Sequence, residues 1–175
     1  MNFGNIKEVD IADGPGVRVS LFVSGCSHHC RGCFQPETWD PSYGEPYTAE
    51  TEKRILTLLS RDFIQGLTLL GGEPFEPENQ RVLTGLLQKV RALRPKKDVW
   101  CYTGYLLDEE LWKESRARCE VTDEMLSMLD VLVDGEFEEE KKNLSLTFRG
   151  SENQRIIDVP ASLAAGETVL VREYL

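Results

Sequence analysis

Three cysteines crowd into eight positions of this 175-residue chain, as Cys26-Ser-His-His-Cys30-Arg-Gly-Cys33. Thiolates this close in sequence can converge on one inorganic centre without long-range folding. Cubane iron–sulfur clusters favour thiolate ligands, and four would saturate their irons. Three leave one iron free to take a substrate, the logic of an open position at a catalytic metal. Two other chemistries fit the same residues. Zinc could take the three thiolates with His28, His29 or Cys101. Cys30-Arg31-Gly32-Cys33 could be a dithiol redox pair, although such pairs usually open a helix after a strand. His28 and His29 are the only histidines. They read as polar residues of a solvated loop, with a lesser role in tuning a cluster from outside its ligand set.

A second candidate is Gly71-Gly72-Glu73-Pro74, which follows the apolar run Gly66–Leu70. Glycine lacks Cβ, so backbone there can approach a ligand closely, and Glu73 could add charge. A glycine pair alone is as often a plain turn; its position relative to the cysteines favours ligand binding. Thr103, Asp134 and Arg149 stand at or just after expected strands and read generically as turn or surface residues. Cys101 reads as buried core, Cys119 matches no ligand spacing, and Glu136–Lys142 reads as a solvated face, with partner docking the lesser reading.

The elements that position these residues alternate. Strands are expected at Arg18–Val23, Gly66–Leu70, Val99–Tyr102 and Val131–Val133. Helices are expected from an N-cap at Thr48, from Glu78 to Leu93, and near Leu107–Trp112 and Asp123–Leu129. Two further strands are possible near Leu144–Phe148 and Arg155–Val159. This alternation predicts parallel βαβ units in a single domain over residues 1–175. A full eight-fold barrel needs about 250 residues, so the expected fold is α/β, a partial (β/α) barrel or open curved sheet, mostly parallel. The glycine turns then fall at the strand ends where ligands bind in such sheets.

A net charge of −10 argues against nucleic acid as a partner, because phosphate affinity rests on Lys and Arg. No apolar run approaches the roughly 20 residues of a membrane span, and the first residues carry no signal-peptide pattern. Five cysteines, an odd count with three clustered, point to metal or redox chemistry in a reducing compartment rather than a disulfide framework. A cytoplasmic location is expected.

The cysteine spacing resembles that of the radical S-adenosylmethionine superfamily. Asp13-Gly14-Pro15-Gly16-Val17-Arg18 before the cysteines, and Phe34 with Thr38-Trp39-Asp40 after them, look like the activating enzymes of glycyl-radical proteins. Trp100–Tyr105, Asp130–Gly135 and Arg149–Arg155 are similar to the activases of anaerobic ribonucleoside-triphosphate reductases. The matches run from about residue 10 to residue 158. Many superfamily members carry an aromatic residue before the third cysteine; here Gly32 stands there and Phe34 follows, as in the reductase activases. The resemblance implies a [4Fe–4S] cluster on Cys26, Cys30 and Cys33. It implies S-adenosylmethionine held by the backbone at Gly32, Cys33 and Phe34, and by Gly71, Gly72 and Glu73. It further implies a reductase as partner and an external low-potential electron donor such as a flavodoxin.

Overall fold

A computed structural model describes residues 1–174. Seven strands form one sheet in the order β3-β1-β2-β4-β5-β6-β7. They are β1 (Asn2–Asp10), β2 (Arg18–Val23), β3 (Glu45–Pro46), β4 (Gly66–Gly71), β5 (Asp98–Tyr102), β6 (Val131–Asp134) and β7 (Arg155–Asp158). Helices α1 (Ala49–Leu59), α2 (Pro77–Ala92) and α3 (Thr122–Ser127) lie in the links between β2, β4, β5 and β6, and α4 (Val159–Ala165) follows β7. No described helix is long and apolar enough to cross a membrane.

The α/β character holds, but the partial barrel and the mostly parallel sheet do not. Only β2, β4, β5 and β6 run parallel to one another. Both margins are antiparallel: β1 against β2 and β3, and β7 against β6. The physical reason lies in the connections. Parallel neighbours need a crossover of about a dozen residues or more, and the link Ile11–Val17 is too short for one, so β1 and β2 form a hairpin. The link from β6 to β7 contains no α-helix to carry a crossover. A barrel requires a helix after each strand and closure of the first strand on the last; here the two margins stay apart and the sheet stays open.

Alternation along the parallel strands divides the sheet into two faces. Val19, Leu21, Leu67, Leu69, Val99, Cys101 and Leu132 join Ile55, Leu59, Leu83, Leu87, Val90 and Met125 of the helices in one core. Each such fully buried aliphatic side chain contributes about 1.5–3 kcal/mol. Phe22, Leu70 and Tyr102 point the other way, into a cavity. Helix α1 starts as expected, with Thr48 Oγ1 accepting from Thr51 N in a capping box. It ends at Leu59, so Phe63 lies outside it and is exposed. The expected helix at Leu107–Trp112 is a single π-turn, Leu107–Leu111. Leu144–Phe148 is no strand; it is a turn at the cavity mouth, with Leu144 89% exposed.

Candidate metal centre

The cysteine loop leaves the carboxyl end of β2 and is tied to its surroundings through backbone. Ser24 N donates to Asn2 O, Gly25 N to Thr38 O, and Cys26 N to Trp39 O. The three residues between the first two cysteines are each held. Ser27 donates through N and Oγ to Glu76 Oε1. His28 lies between two carboxylates, Nδ1 2.6 Å from Glu136 and Nε2 3.0 Å from Glu73. His29, with φ of 54°, stacks on Trp39 at 4.6 Å. The reading of His28 as a solvated residue is therefore corrected: its side chain is 3% exposed. Burial pulls the ring's pKa down, but Glu73 and Glu136 outweigh it and hold it at about 9.

Cys26, Cys30 and Cys33 are free, partly buried thiols on one cavity of about 480 Å³. Burial, with Glu73 adding to it, pushes the Cys26 thiol up to about 12, and burial also raises Cys30. Such thiols ionise only beside a positive centre, and a coordinating metal supplies one. Among the described residues, no three His, Cys, Asp or Glu side chains converge on the point that a single metal ion needs. A cubane spreads its ligands over separate irons. The donor set, three soft thiols and no fourth, thus fits a cluster with an open iron better than zinc.

The glycine-rich turn sits against this loop. Gly71 has φ of +107°, and a Cβ there would lie 2.7 Å from Phe22 Cα. A Cβ on Gly72 would fall 2.6 Å from Gly25 O and 2.9 Å from Thr38 O. Glu73 N donates to Gly25 O at 2.7 Å. The absent side chains therefore let two backbones meet, the turn and the cysteine loop. Gly72→Ala is expected to cost about 2–3 kcal/mol through this clash with rigid backbone, read by urea denaturation; a loss under about 0.5 kcal/mol would mean that the loop gives way freely.

Glu73 is 1% exposed, and its carboxylate is engaged within the chain. It accepts from Phe75 N, Thr103 Oγ1 and Gly104 N, each at 2.8 Å, besides the His28 contact. Phe34 is 63% exposed, lies 5.0 Å from Phe137, and has Lys142 5.1 Å from its ring centroid. The cavity gathers Cys26, Cys30, Cys33, Phe34, Gly71, Gly72 and Glu73, with Thr103 and Arg149. Gly32 is not part of its lining; it has φ of +73° and a Cβ there would meet Glu139. Asp134 is not part of it either. That carboxylate is fully buried and accepts from Arg155 and Leu107 N, a structural role.

Sequence reasoning missed the wall formed by Lys7, Asp13, Phe22, Leu70 and Tyr102. Asp13 opens the Asp13–Arg18 segment, but its pairing with Asp10 had no local signal. Burial, then the Asp10 carboxyl, pushes Asp13 up to about 7, and Lys7, 3.7 Å away, offsets this only partly. Between about pH 4 and pH 7 the native chain keeps a proton that the unfolded chain releases, so stability falls as pH rises through that window. Asp13→Asn cannot ionise. It is expected to be more stable than the parent by about 1–2 kcal/mol at pH 8 and equal to it near pH 4. Urea denaturation at the two pH values checks this, and an equal difference at both would refute it.

Comparison with known proteins identifies the family. The family described as "4Fe-4S single cluster domain" matches residues 12–157. The anaerobic ribonucleoside-triphosphate reductase-activating protein of Enterobacteria phage T4 is 40% identical over 89% of this chain and 93% of its own. That of Escherichia coli K12 is 43% identical over 88% of this chain and 96% of its own. That of Vibrio cholerae is 42% identical over 89% and 97%. A single-cluster match over most of the chain, with relatives of this identity covered nearly end to end, places the chain in the family of anaerobic ribonucleoside-triphosphate reductase-activating proteins, to which it belongs.

Proposed function

We propose that this chain activates an anaerobic ribonucleoside-triphosphate reductase by generating a glycyl radical on it, through reductive cleavage of S-adenosylmethionine to methionine and a 5′-deoxyadenosyl radical that takes the glycine hydrogen. The observation that carries this reading is the single cavity lined by all three cysteines and by the glycine-rich turn. When bound, a [4Fe–4S] cluster supplies one electron to the sulfonium and an open iron for the amino and carboxylate groups of S-adenosylmethionine.

The chain's own residues do the rest. Cys26, Cys30 and Cys33 would hold the cluster through their thiolates and would leave one iron without a protein ligand. Backbone at Gly71 and Gly72 offers carbonyls to the methionine ammonium, while Glu73 fixes the turn that presents them. Phe22, Leu70 and Tyr102 line the cavity with apolar surface, which excludes water from a reactive species. Phe34 and Leu144 stand exposed at the rim, where a partner's loop would enter. Cys101 is buried in the core, and Cys119 is held against Gln80 and Thr122; neither belongs to a second cluster motif, so the electron comes from an external low-potential donor of the flavodoxin kind.

The test is anaerobic. Protein reconstituted with iron and sulfide is reduced and given S-adenosylmethionine, with and without the reductase. The reading expects 5′-deoxyadenosine, and a glycine-centred doublet in the electron paramagnetic resonance spectrum when the reductase is present. A full, reducible cluster that yields neither would overturn it.

A further inference from the structure

His28 touches three parts of the cavity wall. It sits between the first two cysteines. Its Nε2 lies 3.0 Å from Glu73 Oε2 in the glycine-rich turn, close but off the line of a hydrogen bond. Its Nδ1 is 2.6 Å from Glu136 Oε1, at the start of the segment that bears Phe137 and Leu144. The ring stands edge-on to Tyr105, with centroids 4.3 Å apart. The surroundings are shaped to it. A Cβ on Gly104 would lie 2.7 Å from the ring, and Glu73 is itself fixed by Thr103 Oγ1 and Gly104 N. Glu136 is held through its backbone, where Asn153 Nδ2 donates to its carbonyl.

A buried imidazole between two carboxylates is a costly arrangement unless both contacts are made, because burying a charged or polar group without partners is unfavourable. The position of the ring therefore fixes the spacing of three segments at once. Those segments are the ones that would carry the cluster, the methionine end of S-adenosylmethionine and the outer wall.

We propose that His28 is a positioning residue for S-adenosylmethionine: its Nε2 contact with Glu73 holds the cysteine loop in register with the glycine-rich turn, and its Nδ1 contact with Glu136 holds the outer wall onto that loop. The proposal rests on the cysteines binding the cluster and deepens that reading.

The two contacts can be separated. A glutamine amide nitrogen can stand where Nε2 is, and an asparagine amide nitrogen where Nδ1 is. His28→Ala, His28→Gln and His28→Asn are compared with the parent as reconstituted protein. Three quantities are read: iron content, the change that S-adenosylmethionine causes in the electron paramagnetic resonance spectrum of the reduced cluster, and its Kd. The expected result for His28→Ala is iron content close to the parent, a lost or diminished spectral change, and a Kd raised at least tenfold. His28→Gln is expected to recover most of the affinity and the spectral change, and His28→Asn neither.

Amide hydrogen exchange of residues 24–36 and 136–150 in the cluster-free chain gives a readout independent of loading. It is expected to speed up in both segments for His28→Ala, and to be restored in 136–150 by His28→Asn. A parent that takes up no cluster would sink the functional reading, while exchange would still decide the role of His28. Parent-like Kd, spectrum and exchange in His28→Ala would overturn the proposal. So would equal recovery by the glutamine and asparagine variants.

Discussion

Cys30→Ala is expected to lose the cluster and, with it, all measurable formation of 5′-deoxyadenosine, while the chain stays folded. Cys30 is the middle of the three thiols, and two thiolates cannot hold three irons. Even residues that only orient metal ligands cost 10–100-fold when replaced, so loss of a ligand itself should lower activity by more than ~100-fold. The fold should survive because the loop is tied through backbone. Cys33 N donates to the Cys30 carbonyl, which alanine also carries, and the Gly25 and Cys26 bonds to Thr38 and Trp39 are untouched. Iron and sulfide analysis after reconstitution, circular dichroism and product assay together check the prediction. Parent-like product from the variant would show that Cys30 is not a ligand.

The largest effect on stability is expected at Arg18. It is fully buried on β2. Its guanidinium donates to Thr68 Oγ1 at 2.7 Å, to Leu67 O at 3.0 Å, to Pro15 O at 3.2 Å and to Asp98 Oδ1 at 2.5 Å. It also lies 5.6 Å from the Trp100 ring centroid. One side chain thus pins β2, β4, β5 and the loop that carries Asp13. Arg18→Met keeps the bulk and removes every polar contact, leaving Asp98 and two carbonyls without their donor. Breaking one side of a buried pair costs about 3–5 kcal/mol. The lower end is expected, because Asp98 is 28% exposed and Gln65 Nε2 still donates to it. Urea denaturation with an unchanged slope should report this loss; a change below about 1 kcal/mol would mean that water replaces the guanidinium.

The parallel centre of the sheet was legible because its signals are local. β2, β4, β5 and β6 are apolar runs closed by glycine or charge, and α2 shows a clear helical period. The cysteines and the glycine pair were legible because residue type and spacing state their chemistry directly. β1 was not seen because its pairing with β2 shifts register twice, between Phe3 and Asn5 and between Lys7 and Asp10. Each shift breaks the alternation of two on which strand reading depends, so Phe3, Ile6 and Asp10 bury at intervals that resemble no element. Leu144, Leu146 and Phe148 misled for the opposite reason. They alternate like a strand but do so as a turn beside the cavity, with Leu146 and Phe148 part of its lining. His28 looked solvated because its partners, Glu73 and Glu136, are 45 and 108 residues away.

The two margins of the open sheet govern how other proteins can approach it. At one side β3 has only two residues, and one of them is Pro46, which has no N–H to offer. At the other, the chain after α4 returns along β7: Asp158 N donates to Val169 O, and Val171 N to Ile156 O. The β7 margin thus presents no free ladder of backbone donors and acceptors, whereas at the other β3 covers only Asn2 and Phe3 of β1, and the two register shifts along β1 are what blunt the rest of that edge against a foreign strand.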